Sequence, residues 1–237
     1  MGGLKQMDAT KVGNSMANKL QLEDRAAHDW YRFVLSFPPH LVRQYLDRFA
    51  IDREMLVLDP FCGTGTTLVD CKKLGVPSVG IEANPMAHFA NTVKTDWSPS
   101  PGQLVKNSLH VVELAADLLE KSGIQDMQFF THQDHSINGR RTLRPEQAQL
   151  ILKDSISPLP LHKALVLLAC LQNCGWLGLM NHQRLAFAKS LVDDASNLHF
   201  GPEVGVGKIV DPEKALLKQP SRSELNSGEP EASVFDS

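Results

Sequence analysis

Residues 55–67, MLVLDPFCGTGTT, join a short apolar run to a turn with two glycines, Gly63 and Gly65, and then to the start of a helix-like stretch. The run Met55–Leu58 predicts a buried strand, and Thr66–Leu74 the helix after it, stopped by Gly75 and Pro77. Ser78–Ile81 predicts a second strand ending at Glu82. Asn84 and Pro85 then supply a cap and a first-turn proline for a helix through about Val93. Strand, helix, strand, helix in so short a span is the pattern of a parallel sheet, which takes its ligands at the carboxyl ends of the strands.

Outward from this unit the chain changes character twice. Upstream, Leu41, Val42, Tyr45, Leu46 and Phe49 recur at helical spacing behind Pro38–Pro39, where a first turn tolerates proline. Downstream, SPSPG at 98–102 breaks the pattern. Leu104, Val105, Leu109, Val112, Ala116 and Leu119 then mark one long amphipathic helix. Residues 145–152, 162–170 and 183–192 also read as helical. The expected organisation is a loose arm at 1–25, an α/β half at 26–97, a helical section at 98–200 and a poorly ordered, polar tail at 201–237.

The 237 residues suffice for one sizeable core, or for one domain with an appendage. No apolar run approaches the roughly 20 residues that span a bilayer, and the N-terminus lacks the apolar centre of a signal peptide, so the expected location is the cytoplasm with no membrane partner. Cys62, Cys71, Cys170 and Cys174 are too irregularly spaced for a disulfide framework or a zinc site, and Cys170 and Cys174 read as helix-face thiols in a core. His132 and His135 in THQDH read as a solvated loop, and no metal is expected. A net charge of −3 gives no global pull on nucleic acid, so such binding needs a local basic face. Arg140, Arg141 and Arg144 form one basic cluster, read first as the solvated start of a helix and second as a phosphate contact.

Three ligands compete for the glycine turn. A Walker-type phosphate loop needs a lysine after its second glycine, and none occurs before Lys72. A dinucleotide turn places a third glycine where this chain has Leu68. The third candidate is the sulfonium S-adenosylmethionine, whose aminoacyl end can rest on the turn's backbone while an acidic residue at the end of the next strand accepts from the ribose hydroxyls. Glu82 stands at that strand end and Asp59 at the end of the first. An acidic residue inside the motif repels a pyrophosphate and suits a cation.

These residues resemble the amino-methylating DNA methyltransferases, the N6-adenine and N4-cytosine group. Asp59 to Thr67 match that family's D-P-F-x-G-x-G-T-T motif at every fixed position, and LVDCKKLGVPSVGIEANPMA resembles the helix and second strand that follow it. HDWYRFVLSFPPHLVRQYLDRF looks like the segment that precedes the motif. The resemblance covers residues 28 to about 97. It implies a partial Rossmann-like α/β fold with a parallel sheet. It further implies a cofactor, S-adenosyl-L-methionine, held by Phe37, Pro38, Asp59, Phe61, Gly63, Gly65, Thr66 and Glu82, and methyl transfer to an exocyclic amine of adenine or cytosine in DNA. A related reading is methylation of a guanine amine in RNA, although the paired Thr66 and Thr67 fit that motif less well. Asp96–Trp97 pair an acidic with an aromatic residue as the family's third motif does, but no apolar strand precedes them and they are left out of the site.

The family orients its acceptor base with a second loop, [DNS]-P-P-[YFW], whose acid or amide and proline carbonyl accept from the amine while the aromatic ring stacks on the base. The one proline pair in this chain is Pro38–Pro39, flanked by Phe37 and His40, and it matches the upstream segment instead. No catalytic residue is therefore assigned. The expectation is a cofactor-side part of a methyltransferase, shortened before its catalytic loop, or a cofactor-binding remnant or subunit whose partner chain carries that loop.

Overall fold

The computed structural model describes residues 19–33, 36–124, 139–174, 176, 178–200 and 204–207. Most of the expected arm, most of the expected tail, and the His132–His135 pair lie outside the described residues. The architecture is mixed α/β. A parallel pair, β1 (Val57–Asp59) and β2 (Ser78–Gly80), is aligned so that Asp59 stands opposite Gly80.

A 3-10 turn at Leu22–Asp24 leads into α1 (Arg25–His28), and α2 (Pro39–Arg48) follows with its proline in the first turn. The crossover helix α3 (Thr66–Leu74) has the bounds the sequence predicts, ending at Gly75 with φ +73°. Helix α4 (Pro85–Thr95) is capped as expected: the Asn84 side chain accepts from the backbone N–H groups of Met86 and Ala87. The described part of residues 98–200 is chiefly helical. It comprises α5 (Pro101–Lys121), α6 (Pro145–Ala148), α7 (Pro158–Cys174) and α8 (Met180–Ser190), the last continued by a π-helical turn at Leu191–Ala195. A short antiparallel pair, β3 (Leu198–Phe200) with β4 (Val204–Val206), crosses the boundary drawn at residue 200.

Three apolar clusters hold these elements. Val57 of β1 packs with Val42 and Leu46 of α2 and Cys71 of α3, so both helices lie on one face of the sheet. On the other face Leu58 and Val79 are exposed, with Leu56 and Ile81 continuing the same alternation. The expected buried strand is thus, among the described residues, buried on one side only. Val111, Ala115 and Leu119 of α5 pack on Val166, Cys170 and Leu171 of α7. The third cluster unites the halves: Leu185 of α8 is buried against Ala90 and Val93 of α4. Beside it the His182 ring lies 2.9 Å from the Asp96 carbonyl and meets Trp30 edge to face, and Gln183 donates to Asn107 on α5.

Two expectations about the helical section are corrected. Val105, Leu109 and Val112 do not join the buried stripe of α5, because contact with α7 runs along Val111, Ala115 and Leu119, on a neighbouring arc of the helix. Helix α6 stops after one turn. Among the described residues Leu150, Ile151 and Leu152 stay exposed, and a short helix without a buried face does not propagate.

Polar groups add specific ties. Arg43 holds Asp24 through two hydrogen bonds of 2.7 and 3.0 Å and reaches Asp70 at 3.4 Å, while His28 sits 3.2 Å from the other oxygen of Asp70. The guanidinium hydrogen bond keeps the Asp24 carboxyl below the usual range, against the opposing effect of burial. This network fastens residues 24–28 and α2 to the back of α3.

Lys94 is buried with its ammonium 3.2 Å from the Tyr31 carbonyl. Burial, and then the like charges of Arg32 and Lys73, lower its pKa from 10.5 to about 8. Its folded value lies below its unfolded value, so the charge opposes folding below pH 8 and that opposition fades as pH rises toward 10.5. At about 1.4 kcal/mol per pH unit, the cost at pH 7 is on the order of 3 kcal/mol. Lys94→Met should therefore gain stability over the parent at pH 7 by urea unfolding, less whatever the lost hydrogen bond to Tyr31 costs. That advantage should shrink between pH 8 and 10; a difference independent of pH would contradict it. Gly65 has φ +87°, and a methyl group there would fall on the Asn91 side chain of α4. Gly65→Ala is expected to cost about 2–4 kcal/mol and to lower the melting temperature accordingly.

Candidate functional site

At the carboxyl ends of β1 and β2 the chain folds a loop back over the sheet. Asp59 closes β1 by accepting from the Phe61 N–H at 3.1 Å, an Asx turn around Pro60. The Cys62 N–H donates to the Ile81 carbonyl at 3.1 Å and the Gly65 N–H to the Cys62 carbonyl at 2.8 Å, laying the loop along the end of β2. Glu82 anchors it. One carboxylate oxygen accepts from the Gly63 N–H at 2.8 Å and the other from the Asn84 N–H at 2.7 Å. Each oxygen keeps a further lone pair, so the carboxylate is held in place and still able to accept from a ligand.

The two glycines of the loop differ in what they face. Gly63, at φ +53°, adopts a left-handed conformation that a side chain strains, and a Cβ there would meet nothing within 4 Å. Its backbone borders open space. Gly65 instead abuts Asn91, whose amide donates to the Cys62 sulfur at 3.3 Å. The first glycine thus presents the loop outward and the second seats it on α4.

The electrostatic character of the loop is acidic. Burial first, then the carboxylates of Asp59 and Glu82, push the Cys62 thiol above its ordinary value. That field disfavours a phosphate and favours a cation. Phe61 projects from the loop at 87% exposure, an apolar plate beside the two carboxylates. Thr66 is buried at the first turn of α3. Phe37 lines an apolar cleft of about 480 Å³ between α2 and β1 together with Leu41, Tyr45, Val57 and Thr67, which places it beside that first turn. Pro38 precedes α2 in extended conformation.

Asp59, Phe61, Gly63, Gly65, Thr66 and Glu82 therefore share one neighbourhood, with Phe37 and Pro38 at its flank. Other residues singled out by the sequence lie elsewhere. Trp97 rests near Lys72 at the far end of α3, 5.0 Å from its ammonium, and donates to the Lys94 carbonyl. The Arg141 N–H donates to the ring of His162 on α7, and the Arg144 N–H is capped by Gln147. Sequence reading passed over Asn91 and Gly80. A side chain at Gly80 would collide with Leu68 and Cys62, so this position lets the loop and α3 close on β2. A glycine inside a strand was the available signal.

The donor set fits S-adenosylmethionine: two carboxylates for a cationic, hydroxyl-rich ligand, a glycine backbone open to approach, and an exposed aromatic ring beside them. Among the described residues no helix is long and apolar enough to cross a membrane.

Comparison with known proteins agrees with this chemistry. The family model described as DNA methylase, of the N6 and N4 type, matches residues 11–91. The type II methyltransferase M.BsoBI of Geobacillus stearothermophilus is 29% identical over 144 residues, covering 53% of this chain and 27% of that protein. M.MjaII of Methanocaldococcus jannaschii is 38% identical over 67 residues, covering 28% of this chain and 12% of the relative. M.AvaI of Nostoc sp. strain PCC 7120 is 32% identical over 76 residues, covering 32% of this chain and 15% of the relative. The matches thus span only a minor part of each relative's length. No solved structure matches the chain significantly. Residues 11–91, which hold the glycine loop, both strands and the acidic strand end, are thus similar to the amino-methylating DNA methyltransferases.

Proposed function

We propose that this chain binds S-adenosyl-L-methionine at the glycine loop and serves as the methyl-donor half of a cytoplasmic DNA amino-methyltransferase. The observation that carries the reading is the Glu82 carboxylate, fixed by the Gly63 and Asn84 N–H groups and still able to accept, beside a glycine backbone that borders open space. Glu82 accepts from the ribose hydroxyls, Asp59 faces the ammonium directly or through water, and Gly63 lets the aminoacyl end lie against the loop. Phe61 covers one side of the ligand. Phe37 and Pro38 close the methionine end, with Gly65 and Thr66 seating the loop on α3.

When bound, S-adenosylmethionine supplies an electrophilic methyl group on a sulfonium. The acceptor is the exocyclic amine of adenine or cytosine: a nitrogen–carbon bond forms as the sulfur–carbon bond breaks, the amine loses a proton, and S-adenosylhomocysteine remains. Nothing in the 237 residues supplies the [DNS]-P-P-[YFW] loop that would aim this amine. Among the described residues the outer face of the sheet is uncovered, which supports a role beside further polypeptide. Parallel sheets are ordinarily covered on both faces, whereas Leu56, Leu58, Val79 and Ile81 are exposed here. In this reading the acceptor loop and the second cover of the sheet come from that further polypeptide.

Isothermal titration of the 237-residue chain with S-adenosylmethionine and S-adenosylhomocysteine tests the donor half. Both should bind, and ATP should not. Glu82→Gln and Gly63→Ala should each weaken binding by roughly 10-fold to 100-fold. Gly63→Ala should cost at most about 1–2 kcal/mol of stability, since only its backbone strain opposes the change. Binding that is indifferent to both substitutions would contradict the site. Methylation of DNA by the chain alone would contradict its being only the donor half.

A further inference from the structure

Helix α5 carries more apolar surface than its described neighbours cover. Its core side, Val111, Ala115 and Leu119, is spent on α7. A second row, Val105, Leu109 and Val112, stands 59%, 58% and 53% exposed, with Ala116 exposed in the next turn. From Val105 the spacing runs four, three and four residues, the alternation of the apolar seam in a two-helix coiled coil. Lys106 and Glu113, one heptad apart and both exposed, flank the row on the side away from α7. An exposed row of this kind on a regular helix is a pairing surface.

The charges choose the occupant. We propose that this face pairs with α5 of a second copy of the chain, in antiparallel orientation about a two-fold axis between residues 110 and 111. In that arrangement Leu109 of each copy meets Val112 of the other, and Val105 meets Ala116. Lys106 then comes beside Glu113 across the interface, and by symmetry Glu113 beside Lys106, so the patch is complementary to itself. A parallel pairing instead sets Lys106 against Pro101 and Glu113 against Ser108 of the other copy and gains neither contact. The two copies of α7 then lie on one side of the α5 pair, opposite the edge that carries the Lys106 and Glu113 contacts. The seam is short, at or below the lower limit of about 1,200 Å² for stable interfaces, so association depends on concentration. The pairing is independent of the donor-site reading.

Sedimentation velocity of the full chain from about 1 to about 200 µM tests it, a range that resolves dissociation constants in the micromolar decades. The mass should rise from one copy toward two. Leu109→Glu, at an exposed position, should keep the parent melting temperature and remain a single copy throughout. Glu113→Lys should weaken pairing about 10-fold by turning both cross-interface contacts repulsive, and the exchange K106E/E113K should restore it to within about threefold of the parent. A single-copy mass at the highest concentration overturns the proposal. So does a dimer indifferent to Leu109→Glu, or a charge exchange that fails to restore what the single change removed.

Discussion

The Glu82 carboxylate is the contact on which the geometry of the glycine loop depends. The register of the two strands sets Asp59 level with Gly80, so the loop leaving β1 and the residue leaving β2 arrive at the same height. Glu82 then accepts from Gly63 and Asn84 together, tying the loop to the start of α4. Hydrogen bonds to an ionised acceptor are stronger than neutral ones, and here two of them converge on one side chain. The remaining features follow from that junction. Gly65 can rest on Asn91 because α4 begins where Glu82 holds Asn84. Gly80 lets Cys62 and Leu68 close on the strand behind.

The rest of the chain supports this junction from one side. The network of Asp24, Arg43, Asp70 and His28 braces α2 against α3, and Leu185 of α8 joins the helical section to α4. What the described elements leave uncovered is as informative. The outer face of the parallel pair and the outer arc of α5 both carry aliphatic side chains in regular register, yet nothing described packs on them. Water-facing rows of that regularity are surfaces for association.

Much of the α/β half was legible because its signals are local. Gly63 and Gly65 mark the turn, Gly75 ends α3, and Asn84 with Pro85 opens α4; each position follows from backbone chemistry within a few residues. The family resemblance extended that reading to the acidic strand end. Contacts between distant residues were not legible. Asn91 against Gly65, His28 against Asp70 and Lys94 beneath Tyr31 join positions that no short pattern connects. The stripe of α5 was misassigned for a related reason. Periodicity shows that a helix has an apolar arc, but which part of a wide arc is buried depends on where α7 lands. At 145–152 the apolar residues suggested a longer helix than one turn, because propagation requires a surface to bury them.

Photolabelling tests the central claim most directly. Irradiating the chain with tritiated S-adenosylmethionine and mapping the label after trypsin digestion asks where the donor rests, without requiring an acceptor. The label should fall in the peptide Glu54–Lys72, which carries Asp59 to Thr67, with protection by S-adenosylhomocysteine and none by ATP. Label in any other peptide, or displacement by ATP, would contradict it.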